Sequence, residues 1–119
     1  MTAHFEIGSV AAGALLFVLR DGHGDVLLTS RIYRDPGEAL SGIGHLRRSA
    51  PLATRYLRRR DAGGTQHFVV HDASGEVLAK SEIHSTAWAM EAAIEQVMRH
   101  AATATIAASG LTVPAPPPR

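Results

Sequence analysis

Cysteine is absent from the 119 residues, which excludes disulfides and thiolate chemistry and suits a reducing compartment. Charged residues make up only 19% of the chain against 45% hydrophobic. That is too little charge for a disordered polymer and enough apolar material for one folded core. No apolar run is long enough to cross a bilayer. The longest, residues 10–19, is broken by Gly13 and falls well short of the ~20 residues a span needs. The opening MTAHFEIGS has no basic segment and carries Glu6, so it does not read as a signal peptide. A cytoplasmic protein of one domain, with no membrane contact, is expected.

Lysine is nearly missing, since Arg supplies all but one of the 12 basic residues. The net charge is +1, yet residues 45–60 hold Arg47, Arg48, Arg55, Arg58, Arg59 and Arg60 with no acidic residue, leaving −5 for the rest. Such a segment is a candidate anion-binding surface, although basic runs are weak motifs and Arg-rich composition explains this one as readily.

What is present is a duplication. FVLRDGHGDVLLTSRIY at 17–33 returns as FVVHDASGEVLAKSEIH at 68–84, an ungapped offset of 51 residues. Phe17/Phe68, Asp21/Asp72, Gly24/Gly75, Leu27/Leu78, Ser30/Ser81 and Ile32/Ile83 are identical pairs, and the register extends through Ile43/Ile94 and Ala50/Ala101. It also runs back to Phe5/Tyr56. The unit spans about 4–50 and again 55–101. Two copies are too few for a solenoid, so a single pseudo-two-fold domain over 1–108 is expected.

Within each unit, residues 14–21 and 25–33 alternate as strands. Phe17, Leu19, Val26, Leu28 and Ile32 share one face in this reading; Leu16, Val18, Arg20, Leu27, Thr29, Arg31 and Tyr33 share the other. Pairing Leu19 with Leu28 leaves a two-residue loop, His23-Gly24, repeated as Ser74-Gly75. Asp35 then fits a helix N-cap with Pro36 in the first turn, and Ala39, Ile43, Leu46 and Ala50 make an apolar face that Pro51 ends. The second helix is capped by Ser85 or Thr86 and carries Met90, Ile94, Val97, Met98 and Ala101 as its stripe. A closing strand is expected over 103–108, matching Tyr56's strand at the end of the first unit. A Pro-rich, disordered tail is expected over 109–119. The fold class is α+β: two β-β-β-α repeats forming one antiparallel sheet with both helices on one face.

The motifs Phe17/Leu19, His23-Gly24-Asp25, Ser30-Arg31-Ile32-Tyr33 and Gly42-Ile43-Gly44-His45-Leu46 resemble the YegP family of uncharacterised bacterial proteins. So do Phe68/Val70, Ser74-Gly75-Glu76, Ser81-Glu82-Ile83-His84 and Ala93-Ile94-Glu95-Gln96-Val97 in the second copy. The resemblance covers about residues 4–108. It implies that two repeats share one antiparallel sheet, exchange their closing strands and set their helices on one face. It implies no activity. The chain departs from the family at its turn Asn positions, both replaced, and at a family Lys that is Pro36 and Ala87 here.

Candidate chemistry is sparse. His67 and His71 lie on one strand face but about 13 Å apart at strand rise, too far for one ion whose ligands sit at about 2 Å. No third histidine converges, so neither a metal nor a cofactor is expected. Ser30 and Ser81 are inward-facing and suit buried hydroxyls bonded to backbone; no His-Asp pair accompanies them, and no catalytic residue is assigned. The glycines at 22 and 24 open a strand rather than a helix, which excludes a phosphate loop. Trp88 falls on the polar side of the second helix or at its rim, an exposed aromatic, and is expected to pack against the neighbouring strand.

Two functional readings remain. The first is a small non-catalytic structural or binding module that takes a protein partner or small ligand on the sheet face of Leu16, Val18, Leu27, Tyr33, Val69 and Leu78. The second is weak, sequence-independent nucleic-acid or anion binding through the Arg segment, without base stacking because aromatics other than Tyr56 are missing there. A monomer with an internal pseudo-dimer is expected.

Overall fold

The computed structural model describes residues 2–107. The order is β1 (His4–Ala11), β2 (Ala14–Arg20), β3 (Val26–Ser30), α1 (Pro36–Ser49), a 3-10 turn (Ala53–Arg55), β4 (Tyr56–Arg60), β5 (Gln66–His71), β6 (Val77–Ser81), α2 (Ala87–His100) and β7 (Thr105–Ile106). One seven-stranded sheet runs β4-β5-β6-β3-β2-β1-β7. The two units meet at its centre, where β3 and β6 pair antiparallel, Leu28 opposite Ser81 and Ser30 opposite Ala79.

Each helix is fixed by its cap. The Asp35 carboxylate accepts the Glu38 amide and Pro36 occupies the first turn of α1; the Thr86 hydroxyl accepts the Ala89 amide at α2. Between helices and sheet lies one core in which Phe5, Phe17, Leu19, Leu28, Ile43, Leu46, Phe68, Val70 and Val97 have lost all or nearly all contact with solvent. Phe17 meets Phe5 edge-on at 5.7 Å and stacks on Tyr33 at 6.0 Å.

Serine seals each unit at one point. Ser30 accepts the Phe17 amide at 2.9 Å and donates to the Arg31 carbonyl at 2.7 Å. Ser81 does the same with Phe68 and Glu82, at 3.0 and 2.8 Å. The hydroxyl stands in for a strand partner where β3 and β6 end, so the chain can leave the sheet without orphaning a buried amide.

The structure differs from the sequence-based expectations at four places. First, β7 covers only Thr105–Ile106 and runs parallel to β1, so the sheet is mixed. It follows unit two's helix and lies on unit one's first strand, which is an exchange between halves. The tail expected over 109–119 lies outside the described residues. Second, Tyr56's strand pairs with β5 and opens unit two rather than closing unit one. Residues 53–55 run directly into β4, and a chain cannot lie beside its own continuation.

Third, the loops at 21–25 and 72–76 are not two-residue turns. The Asp21 amide donates to the Asp25 carbonyl, the Gly24 amide donates to the Asp21 carbonyl, and Gly24 sits at φ +90°. The Asp21 carboxylate also accepts the His23 and Asp25 amides, giving a four-residue turn closed by a left-handed glycine. Asp72 and Gly75 repeat it.

Fourth, bulges between Leu19 and Arg20 and between Val70 and His71 shift the register at equivalent points. A bulge puts an extra residue against one partner and re-aims its side chain. Leu27 and Leu78 therefore join the helix-side core instead of the outer face. Tyr33 also joins it, because the chain breaks from strand geometry after Ser30 and the ring stacks back on Phe17. The same break leaves Ile32 54% exposed rather than in the core.

Candidate functional site

The six residues expected to form a partner face do not form one. Leu27, Tyr33 and Leu78 pack under the helices, and Leu16, Val18 and Val69 stay on the open face but are buried. Register explains two of these. Val18 lies between Glu6 and Thr29, and Val69 between Leu57 and Lys80, so cross-strand side chains flank both. Glu6 is itself held by Arg20 at 2.9 Å and His4 at 2.6 Å. Burial pushes its carboxyl up, but hydrogen bonds from His4 and Arg20 outweigh this and leave it below the ordinary value.

The six arginines are divided as well. Arg47 turns inward, lies over the Phe5 ring at 5.5 Å and donates to the Ala104 carbonyl at 2.6 Å. It is a strut between α1 and the segment leading to β7. Arg58 reaches from β4 to Glu91 on α2, its Nε and Nη2 donating to the two carboxylate oxygens; that pairing raises Arg58 and lowers Glu91 from their ordinary values. Arg59 and Arg60 are exposed along β4.

Arg48 and Arg55 do converge. With His45, Ser49, Ser74 and Asp72 they line an open cleft of about 420 Å³ between the end of α1 and the 72–76 turn. Arg48 bonds His45 Nδ1 at 2.9 Å, and among the described residues neither arginine has a carboxylate within ion-pair distance. Copy two differs: there Arg99, the counterpart of Arg48, pairs with Glu95, whose counterpart is Gly44. The Asp72 carboxyl is held below its ordinary value, first by the Ser74 hydroxyl and then against a small desolvation by the Ser74 and Gly75 amides and His45.

A second cleft of about 430 Å³ adjoins it at the start of α1. Arg31 crosses it, paired with Glu76 and lying over Tyr33 at 5.4 Å, and Asp35, Glu38 and Asp72 also line it, so this cleft is acidic rather than an anion site. His23 lines a smaller groove with Asp21, Gly22 and Gln96, the counterpart of the His45 region.

Among the described residues no three His, Asp or Glu side chains are grouped to hold a metal ion. His67 bonds Asp61 at 3.0 Å, and the bulge places His71 opposite Val77 rather than Leu78. Buried polar atoms without a partner among the described residues are Arg47 Nε and His84 Nε2.

Trp88 lies on the polar side of α2 as the sequence places it, but it does not pack against a strand. It is 82% exposed, and Ile83, just before α2, is 69% exposed; these are the two most exposed large apolar side chains among the described residues. The helix period shows why. The buried stripe runs through Met90, Ala93, Ile94 and Val97, and a residue two before Met90 falls about 200° around the helix from it. Trp88 also stands one turn before Glu91, beside the Arg58 bridge to β4.

The matches to known proteins agree with this duplicated layout. A domain of unknown function, DUF1508, matches twice, over residues 11–56 and 61–107. These copies begin just before β2 and just before β5 and extend past each helix, a different cut of the same duplication. UPF0339 protein YegP of Escherichia coli strain K12 is 27% identical over 106 residues, covering 89% of this chain and 96% of that protein. The UPF0339 protein in the ptx operon 5′ region of Stutzerimonas stutzeri is 30% identical over 112 residues, covering 92% and 99%. Solution NMR structures of UPF0339 protein SO3888 from Shewanella oneidensis and of yegP from E. coli superpose with TM-scores of 0.83 and 0.82 at 27% identity. Each covers 89% of this chain, and 90% and 91% of the other. The second is described as a protein of unknown function.

Proposed function

We propose, for a chain that belongs to the DUF1508 family of domains of unknown function, a small non-catalytic binding module that works as a cytoplasmic monomer and engages a protein partner. The observation that supports this is Trp88. An indole at 82% exposure on a rigid helix, five residues from an exposed isoleucine, is the side-chain chemistry of a protein-binding hot spot. Its copy-one counterpart is Gly37, so the feature belongs to one end of the pseudo-symmetric molecule only. Among the described residues no helix is long and apolar enough to cross a membrane.

The test compares proteins captured by wild type and by Trp88→Ala from a bacterial lysate, followed by affinity measurement on the purified partner. A loss of about tenfold or more is expected, with melting unchanged because the ring packs on little. An identical partner set and affinity for both proteins would overturn the reading.

A second reading is anion binding at the Arg48–Arg55 cleft. The supporting observation is that two arginines with no carboxylate in ion-pair distance among the described residues share one concavity with His45 and Asp72. Titration with phosphate and a short single-stranded oligonucleotide should show weak binding that falls with salt and is lost in the Arg48→Ala/Arg55→Ala double variant. Salt-independent binding, or binding that survives both substitutions, would remove it.

A further inference from the structure

We infer that the outer edge of β4 accepts an extended acidic segment of a partner protein, running parallel to β4 as β7 runs along β1. The inference deepens the protein-binding reading and rests on it for the class of partner.

The internal symmetry supplies the first observation. β4 is the counterpart of β1, Tyr56 standing for Phe5. On β1, His4 faces Thr105, Phe5 faces Ile106, and the Ala107 amide donates to the Phe5 carbonyl at 2.8 Å. The counterparts of residues 105–107 are 54–56, which are the 3-10 turn and the first residue of β4 itself. Joining two units in one chain therefore fills one of the two equivalent edge sites and leaves the other without a strand from this chain among the described residues.

Register identifies the groups left open. In an antiparallel ladder the N–H and C=O of a residue point to the same side, and the side alternates along the strand. Phe68 and Gln66 direct their amides toward β6, to Ser81 Oγ and the His84 carbonyl. Arg58 and Arg60, opposite them, therefore turn their N–H and C=O away from β5, and so does Tyr56 by parity. Arg58 and Arg60 each offer a donor and an acceptor along the edge, and Tyr56 offers its carbonyl, as Phe5 does to the Ala107 amide, its own amide being taken by the Ala53 carbonyl.

Charge selects the occupant. Arg58 is met by Glu91, but Arg59 and Arg60 are exposed, and Arg55 stands at the strand's start. A second copy pairing edge to edge would set these arginines against one another, which disfavours self-association. A charged edge protects against aggregation by like strands; the same charges favour a strand rich in Asp or Glu. Trp88, beside the Arg58–Glu91 bridge, borders the site.

The probe is a capped peptide of about ten residues alternating glutamate and threonine, with a lysine–threonine peptide as control. It is titrated into the full-length isotope-labelled protein while backbone amide exchange is followed. Saturable binding is expected, with exchange slowed about tenfold or more at Arg58 and Arg60 and unchanged at Leu57 and Arg59, already paired with β5, and at Tyr56, already bonded to the Ala53 carbonyl. Arg60→Ala removes charge and should weaken binding; Arg60→Pro removes the outward amide too and should weaken it further. No binding at about 1 mM, protection without the alternation, or equal binding of the lysine peptide would overturn the inference. So would alternating protection in a peptide-free dimer. If the peptide protects the edge while Trp88→Ala leaves partner capture intact, the edge site stands and the Trp88 reading fails. If a partner depends on Trp88 but the edge stays unprotected, the reverse holds.

Discussion

A β-carbon on Gly42 would fall inside the Tyr33 hydroxyl. Tyr33 is buried, stacked on Phe17 and pressed flat under α1 at that glycine. The equivalent positions in the second copy hold His84 and Ala93, a smaller ring and a residue that does carry a β-carbon. The small residue at 42 thus goes with the large ring at 33, and the larger residue at 93 with the smaller ring at 84.

Gly42→Ala tests this directly. Elsewhere in a helix the change would stabilise by about 1 kcal/mol. Here the methyl must displace a stacked ring, and overpacking of this kind costs about 1–3 kcal/mol. A net loss of about 1–2 kcal/mol in urea unfolding is expected. Tyr33→His in the same chain recreates the copy-two pair and should recover part of it, with a coupling near 1 kcal/mol in a double-mutant cycle.

Ser30→Ala and Ser81→Ala should each cost about 1–3 kcal/mol, because each leaves a buried phenylalanine amide without an acceptor. Amide exchange at Phe17 and Phe68 reports the loss at its origin. Equal costs in the two copies are the expected mark of equivalent roles.

The 21–25 turn separates glycine from histidine. Gly24→Ala forces a side chain into left-handed backbone at φ +90° and should destabilise by about 1 kcal/mol or more. His23→Ala should stay within about 0.5 kcal/mol of wild type, since its amide, not its ring, bonds Asp21. A large effect at His23 would mean that its groove with Gln96 is used.

These features mark how far the chain could be read. The 51-residue echo carried the strand and helix order, both caps and the inward serines, because strand period, capping chemistry and hydroxyl placement are local. The bulges opposite Arg20 and His71 were not legible, since the residue that slips is set by how the hairpin meets the helices. That slip moved Leu27 and Leu78 off the expected face. Division of the arginines was equally hidden: nothing local tells Arg47, under Ala104, from Arg48, in the open cleft. The polar-side position of Trp88 is legible from the helix period, whereas its lack of a packing partner on the neighbouring strand is a tertiary fact that the period does not carry.

Acid should weaken the fold through Glu6 and Glu91. Both folded carboxyls titrate below the ordinary 4.5, so the stability they contribute is complete above that value and is lost as pH falls through their folded values. Glu6→Gln should cost about 1–2 kcal/mol at neutral pH, from hydrogen bonds to a charged acceptor, and should flatten the acid limb of the stability curve. Glu91→Gln, at an exposed pair, should change both less.

Arg47 and the Arg48/Arg55 pair should come apart experimentally. Arg47 holds a charge over the Phe5 ring and ties α1 to the Ala104 carbonyl, one residue before β7 begins. Its removal deletes a charge-assisted hydrogen bond and a cation–π contact, together about 2–3 kcal/mol. Arg47→Ala should therefore lower stability and speed exchange at Ala107, whose amide closes β7 onto β1. It should leave phosphate affinity unchanged. Arg48→Ala/Arg55→Ala should do the opposite, abolishing salt-sensitive anion binding with stability within about 0.5 kcal/mol of wild type. If Arg47→Ala removes anion binding while the fold stays intact, the run 47–60 acts as one basic surface and the division seen in the structure has no functional meaning.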